Sequence, residues 1–348
     1  MLAIRKALFS AVIVATSVMV PAQPSQGAAG GNFVGTWGSF NRSEIAMQTA
    51  FPVPVTGLTD IVAVSGGLWH VLALARDGSV WAWGHNGENE LGDGTIENRT
   101  VPVRVHGLTN VVAISSGHTH NLAAKSDGTV WTWGGDLPLP PSTVRALNDP
   151  IPVQVSGLSD VVAVAGGGPP AHGLALKRDG TVLAWGSNSR GQLGDGTTVN
   201  RPVAVQTVGL TGVTALATGG DASVALTGDG RVWTWGPQLG DGTLRDNLVP
   251  VPVSGVSGVT SVAARAHVLA VKNDGTVWAW GSNYTGQLGD GTTTHRNAPV
   301  PVAGLSGVKS AAVGASHSLA VKNDGTVWSW GSNGLGGSGT PSTRSTTT

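Results

Sequence analysis

An eight-residue sequence recurs six times along this chain at nearly constant intervals. The copies read DGSVWAWG at Asp77–Gly84, DGTVWTWG at Asp127–Gly134, DGTVLAWG at Asp179–Gly186, DGRVWTWG at Asp229–Gly236, DGTVWAWG at Asp274–Gly281 and DGTVWSWG at Asp324–Gly331. Successive aspartates are 50, 52, 50, 45 and 50 residues apart, and such a period indicates an array of structural repeats. The fold must therefore offer an equivalent place to each copy.

Each copy predicts a tight turn followed by a strand. Asp-Gly is a strong hairpin signal, because glycine accepts the positive φ that a primed turn needs. In the strand that follows, Trp81 and Trp83 point to one side, while Val80 and Ala82 point to the other. The residue between the two tryptophan positions is always Ala, Thr or Ser. A bulky side thus alternates with a slim one, which suits closely stacked sheets.

A full repeat contains four predicted strands, as the third unit shows. An outer strand, PVQV at Pro152–Val155, precedes an inner strand within Val161–Gly167. A second strand, HGLAL at His172–Leu176, leads through the Asp-Gly turn into the third or Trp strand, which ends at Gly186. Four short antiparallel strands per unit are typical of a propeller blade.

The loops after the Trp strands carry a further motif. GSNSRGQLGDGT at Gly186–Thr197 matches GSNYTGQLGDGT at Gly281–Thr292. With the W-x-W-G strand, the PVPV strand and the G-x-x-H-x-L-A-L segment, these loops resemble the regulator of chromosome condensation repeat family. The resemblance covers roughly nine tenths of the chain after its first 29 residues, and it implies a β-propeller, usually of seven blades. A fold shared by many proteins does not by itself imply a function.

The number of blades is less regular than the motif. A further Trp strand, FVGTWG at Phe33–Gly38, is followed by FPVPV at Phe51–Val55, but only six pairs of inner and second strands occur. We therefore expect an all-β propeller of four-stranded antiparallel blades, with six full repeats plus a partial N-terminal repeat. A seven-blade frame with an incomplete last blade is favoured. The alternative is six-blade closure, with Pro52–Val55 as the missing outer strand.

The two ends of the chain differ from the repeats. Residues 1–29 begin with Arg5 and Lys6 and continue through an apolar run, as in a secretory signal peptide cleaved after Ala22 or Ala29. The alternative is an uncleaved anchor. We expect one propeller domain over residues 30–337, a flexible Ser/Thr-rich tail over 338–348, and a secreted or cell-surface protein with no membrane span after signal cleavage.

Composition argues against several function classes. Lys plus Arg and Asp plus Glu both number 20, so no basic footprint for nucleic acid is expected. There is no cysteine, no G-x-S-x-G elbow and no P-loop. The sequence thus predicts no catalytic residues, no enzyme activity and no cofactor.

Two recurring polar residues are interpreted as structural. His70, His120, His172, His267 and His317 share one repeat position, which Ser223 is expected to fill in the fourth unit. One histidine per blade forms a ring rather than a metal cluster, so hydrogen bonds to adjacent backbone are expected. The aspartates of the LGDGT loops lack a calcium-binding pattern and are expected to cap turns.

Strand order predicts where a binding site lies. Turns between inner and second strands share one face of the disc with the loops between Trp and outer strands, whereas the Asp-Gly turns lie on the opposite face. The first set of segments varies between repeats, and we call that side the variable face. Binding residues concentrate on variable loops carried by a rigid scaffold. The candidate contacts are Trp69, His118, Arg145, Arg190, Asp221 and Tyr284.

These observations predict a secreted, non-enzymatic, monomeric scaffold that binds a protein partner or a cell-surface glycan. Secreted bacterial proteins similar to this one include β-lactamase-inhibiting propellers, but only Trp69 supplies an aromatic residue at the inner-turn positions that such inhibitors use. The family name suggests nucleotide exchange or chromatin binding, which the signal sequence and zero net charge disfavour. A propeller hydrolase or lyase is the remaining alternative.

Overall fold

The computed structural model describes residues 35–40, 47–135, 150–237, 240, 242, 245–332 and 345–347, with side chains from residue 55 to 332. Every regular element among them is a β-strand. The strands are β1 (Gly35–Phe40), β2 (Met47–Pro54), β3 (Ile61–Gly66), β4 (His70–Ala75), β5 (Val80–Gly84), β6 (Arg99–Arg104), β7 (Val111–Ser116), β8 (His120–Lys125), β9 (Val130–Gly134), β10 (Val153–Gln154), β11 (Val161–Gly166), β12 (His172–Lys177), β13 (Val182–Gly186), β14 (Arg201–Gln206), β15 (Val213–Gly219), β16 (Ala222–Thr227), β17 (Val232–Gly236), β18 (Asn247–Pro252), β19 (Val259–Ala264), β20 (His267–Lys272), β21 (Val277–Gly281), β22 (Arg296–Pro301), β23 (Val308–Val313), β24 (His317–Lys322), β25 (Val327–Gly331) and β26 (Ser345–Thr347). The described part of the chain contains no helix long and apolar enough to cross a membrane.

The strands form six four-stranded antiparallel blades, which we number one to six from β3–β6 to β23–β26. This confirms the propeller of six full repeats. The partial repeat forms a separate two-stranded sheet, in which β2 pairs with β1. Closure of the sixth blade by Pro52–Val55 is therefore not the observed arrangement, because β26, within the segment expected to be a tail, pairs with β25 instead.

Each blade places its Trp strand third, with the same pairing. In the first blade His70 lies opposite Gly84 and Leu72 opposite Ala82. The inner strand shifts register at one equivalent point in every blade, as between Ile61 and Ala63. The six copies are thus equivalent in register as well as in sequence.

In the second to sixth blades the last tryptophan of the motif fills the space towards the preceding blade. Trp133 of the second blade packs among Leu72, Val80 and Ala82 of the first. Trp235 of the fourth blade likewise packs with Ala184 of the third, and Trp330 of the sixth with Ala279 of the fifth. The bulky side of one sheet therefore meets the slim side of its neighbour, as the alternation of Trp with Ala, Thr or Ser predicts.

Glycines of the LGDGT loops make this packing possible. Gly194 has a φ of +67°, and a Cβ there would lie 2.8 Å from Cδ1 of Trp235 in the next blade. Gly92 and Gly289 approach Trp133 and Trp330 in the same way. The glycine thus serves both the turn and the contact between blades.

Candidate binding face

Hydrogen bonds join the two kinds of segment that form the variable face. In the first blade the N–H of His85, the first loop residue after the Trp strand, donates to the carbonyl of Trp69 at 2.8 Å. Equivalent bonds join Gly135 to Thr119, Ser187 to Ala171, Ser282 to Ala266 and Ser332 to Ser316. The inner turns and outer loops therefore lie on the same face of the disc.

A buried asparagine holds each complete loop in shape. The Nδ2 of Asn188 donates to Asp195 Oδ1 and to the carbonyls of Thr197 and Val199, at 3.0 to 3.1 Å. Its Oδ1 accepts the N–H of Leu193 at 2.9 Å. Asn86 and Asn283 make the corresponding bonds in the first and fifth blades. Sequence reasoning did not single out this residue, although the G-x-N signal that marks it is visible in the repeats.

The loop aspartates cap turns, as expected. Asp195 Oδ1 accepts hydrogen bonds from the N–H and hydroxyl of Thr197, and its Oδ2 accepts one from Arg201 Nε at 2.8 Å. Burial opposes ionisation of this carboxyl, but the bonds from Thr197 and Arg201 outweigh burial and lower its pKa. Asp93 and Asp290 behave alike. None of the described residues form a cluster of three or more His, Cys, Asp or Glu side chains suited to a metal ion.

Three of the buried histidines, His70, His172 and His267, contact a side chain of the next blade. His70 Nε2 lies 2.7 Å from Asn121 Oδ1 of the second blade. His267 Nε2 lies 2.6 Å from Ser318 Oγ of the sixth, whose hydroxyl donates to the carbonyl of Gln287. Because that hydroxyl proton is used, Nε2 of His267 must carry the proton and donate.

The pairing of β16 corrects the expected place of Ser223. Ser223 lies opposite Trp235, as Gly173 lies opposite Trp185 in the third blade. It therefore follows the histidine position, which Ala222 occupies, and its hydroxyl is the partner of His172 Nε2 at 3.1 Å. The error arose because the turns before the second strands differ in length, so counting along the sequence misaligned them by one residue.

Burial keeps these histidines neutral. It lowers the pKa of His120 and His267 to about 3 and that of His172 and His317 to about 4. Burial also lowers the pKa of His70, although the Glu90 carboxylate opposes this shift. The ring of histidines thus contributes polar contacts to the blade interfaces, with no charge at neutral pH.

Trp69 and His118 occupy neighbouring inner turns. Trp69 is partly exposed at the tip of the first turn, and His118 is partly exposed in the second. The N–H of Leu68 donates to the carbonyl of His118 at 2.9 Å. The structure therefore brings these two predicted contacts side by side on the variable face.

Arg190 and Asp221 meet in an ion-pair cluster that also includes Asp246. Nε and Nη2 of Arg190 donate to the two carboxylate oxygens of Asp246 at 3.0 and 2.9 Å. Nη1 lies 3.6 Å from Asp221 Oδ2. Burial raises the pKa of Asp221, with Arg190 opposing it, whereas the bonds to Asp246 raise the pKa of Arg190. Sequence reasoning placed Arg190 and Asp221 on one face but did not foresee their pairing or the part of Asp246.

Tyr284 belongs to neither of these pairs of candidate contacts. Tyr284 is 77% exposed in the fifth-blade loop, and its ring meets that of His295 edge to face, with centroids 3.9 Å apart. Arg145 lies outside the described residues. An exposed aromatic side chain is a common anchor for a protein partner.

A cavity opens at the centre of the ring, where sequence reasoning predicted no site. It has a volume of about 120 Å³ and is lined by the inner strands of all six blades, among them Val164, Leu216 and Val262. His118 and Arg265 stand at its variable-face end. Arg265 also lines a shallow cleft that contains Arg190 and Asp221. The cleft and the central cavity therefore meet at Arg265.

Six four-stranded blades around a narrow central channel, with a constant face and a variable one, define a β-propeller. A family model described as the RCC1-like domain matches residues 27–348. The chain belongs to this family.

Similar solved structures share the fold at low sequence identity. Prp20p from Saccharomyces cerevisiae is 23% identical with a TM-score of 0.74, covering 94% of this chain and 86% of its own. Human WBSCR16 is 22% identical with a TM-score of 0.74, covering 98% of this chain and 93% of its own. At this level of identity the likeness concerns the fold alone.

Curated relatives match shorter segments. The RCC1 domain-containing protein RUG3, mitochondrial, of Arabidopsis thaliana is 37% identical over 67 residues, which is 19% of this chain and 15% of that protein. The human E3 ubiquitin-protein ligase HERC2 is 36% identical over 130 residues, which is 35% of this chain and 3% of that protein. The matched segments therefore make up only a small part of these relatives.

Proposed function

We propose that this protein is a secreted, non-enzymatic scaffold that binds another protein through its variable face. The main support for this proposal is the contrast between the two faces of the propeller. On the opposite face one bond recurs at five blade junctions, from the N–H of a strand-opening valine to the carbonyl of the preceding Asp-Gly turn, as between Val111 and Gly78. On the variable face the six turn tips are Trp69, Thr119, Ala171, Asp221, Ala266 and Ser316.

This contrast favours recognition of a partner. Equivalent backbone bonds hold five of the six tips in place. The side chains of all six range from the aromatic Trp69 to the acidic Asp221. Among the similar propellers, yeast Prp20p is described with binding to Gsp1p and histones, and a second structure of the same protein has Kap60 bound to it. The apolar run near the N-terminus supports an exported location.

The test is a pull-down from the native extracellular environment with residues 30–348 as bait. We expect a protein that is retained by the parent and lost by a Trp69→Ala/Tyr284→Ala double variant, with binding weakened by about 1–3 kcal/mol for each anchor. The matched control is Val101→Ala/Val203→Ala, which truncates two exposed side chains of outer strands. Loss with both double variants, or with neither, would contradict binding through the variable face. If the bait retains a glycan but no protein, the ligand is a glycan, and the proposal of a protein partner is wrong.

A further inference from the structure

Arg265 occupies a position that is glycine in the other five blades. Its N–H donates to the carbonyl of His267, as that of Gly67 does to His70. The other equivalents are Gly117, Gly167 and Gly314 by the same bond, and Gly219 by strand pairing. A Cβ at Gly67, Gly117 or Gly167 would collide with the histidine ring of its own blade. Only the fifth turn, which is the shortest of the six, carries a side chain here.

The guanidinium of Arg265 is desolvated without a visible counter-charge. Burial lowers its pKa, and its charge in turn lowers the pKa of His70 and His317. Among the described residues, no carboxylate lies within 4.0 Å of it, although eleven other ion pairs meet that criterion. A partly buried charge without a partner is unfavourable for folding, so its presence calls for a role outside the fold.

The surroundings of Arg265 indicate which kind of anion fits. Among the described residues that line the central cavity, Arg265 is the only one with a formal charge. The rest of the wall combines aliphatic side chains, among them Val164, Leu216 and Val262, with the hydroxyl side chains of Ser115, Ser116, Thr218 and Ser261. The aliphatic part of this wall can pack against the methylene stem of a side chain, which a free hydrated ion lacks. Arginine in turn matches the planar geometry of a carboxylate with two parallel hydrogen bonds.

We propose that Arg265 forms a carboxylate subsite at the mouth of the central channel, which receives an acidic side chain of the protein partner. The guanidinium binds the carboxylate, and the stem of the glutamate or aspartate packs on the aliphatic part of the wall. This inference rests on the proposed function. It predicts that the protein partner presents an acidic segment to the variable face.

The direct test titrates the chain with N-acetylglutamate N-methylamide and follows the backbone amide signals of the inner turns by NMR. We expect saturable shifts for the parent and at least tenfold weaker binding for Arg265→Gln. The matched control is Arg231→Gln, because Arg231 is exposed on the opposite face and paired with Asp229. Equal binding by Arg265→Gln, or equal binding of N-acetylglutamine N-methylamide, would overturn the subsite. So would inorganic phosphate that binds as tightly, since the site would then be a general anion site.

Two further measurements separate the possible failures. In urea unfolding we expect the midpoint of Arg265→Gln to equal or exceed that of the parent, and a clear decrease would mean that Arg265 supports the fold instead. In the pull-down, a partner retained equally by Arg265→Gln and the parent would overturn the subsite while leaving the proposed function intact. The blocked amino acid needs no partner, so its binding is judged even where the pull-down fails.

Discussion

At the scale of single residues, two buried histidines at the same repeat position differ in one contact. His267 donates to Ser318 Oγ at 2.6 Å. In the described structure neither ring nitrogen of His120 has a hydrogen-bond partner. The position that would supply one is Gly173, and a Cβ there would lie 2.5 Å from the ring of Trp185. Glycine at this position therefore leaves His120 without the side-chain partner that Ser318 gives to His267.

This difference predicts unequal effects of one substitution. His267→Leu removes a donor and leaves the buried Ser318 hydroxyl with one bond, so the free energy of unfolding should fall by about 1–3 kcal/mol. His120→Leu removes an unpartnered polar ring and should change stability by less than about 1 kcal/mol. Urea unfolding of both variants measures the difference. Equal losses would show that ring packing, rather than the bond to Ser318, accounts for the role of His267.

At the scale of elements, the contact between a loop and the next blade depends on one glycine. Gly194 and Gly196 both have positive φ, at +67° and +81°. Only Gly194 faces Trp235, whereas a Cβ at Gly196 would meet nothing closer than Val249 at 3.9 Å. The two positions therefore separate backbone strain from steric collision within the same loop.

We expect Gly196→Ala to lower the free energy of unfolding by about 1 kcal/mol, the effect of a positive φ on a residue with a Cβ. Gly194→Ala should lower it by about 2–4 kcal/mol, because Trp235 must also move. Near-ultraviolet circular dichroism would report that movement alongside the unfolding measurement. If both variants lose the same free energy of unfolding, Trp235 moves away from the added methyl group at no cost in stability, and the prediction is wrong.

At the scale of the whole molecule, the histidines couple stability to pH. Their pKa values in the folded chain are depressed, to about 3 for His120 and His267 and about 4 for His172 and His317. An unfolded histidine titrates near about 6.5. Below that pH the unfolded chain binds protons that the folded chain excludes, so stability is full above about pH 6.5 and is lost as pH falls towards 4.

For each histidine with a depressed pKa, the free energy of unfolding should change with a slope that approaches about 1.4 kcal/mol per pH unit, once the pH is well below about 6.5 and still above the folded-state pKa. Urea midpoints measured across this range should fall steadily, and His120→Leu should reduce the slope by the contribution of one proton. The capping aspartates have lowered pKa values and lose their stabilising effect only below about pH 4, which is a separate window. A midpoint that stays constant down to pH 4.5 would contradict the histidine contribution.

The features of this molecule that could be predicted from sequence are those that short sequence motifs determine. The Asp-Gly turn and the Trp strand act over eight residues, so strand order and blade architecture followed from them. The contacts of Asn121 with His70, or of Arg190 with Asp246, join residues 51 and 56 positions apart. Such pairs depend on the distances between side chains across a blade junction. A repeat pattern in the sequence gives no information about these distances. Arg265 was detectable only by comparing turns of unequal length.

The histidine contacts between blades also restrict the order in which the blades can follow one another along the chain. In several blades one position completes a contact that the preceding blade begins: His172 meets Ser223, whereas Ala222 shares an apolar cluster with Val268. Exchanging the fourth and fifth blades would place a histidine against a valine. Repeats that look interchangeable in sequence therefore occupy assigned places, and a blade that was duplicated or recombined would fit only beside a matching neighbour.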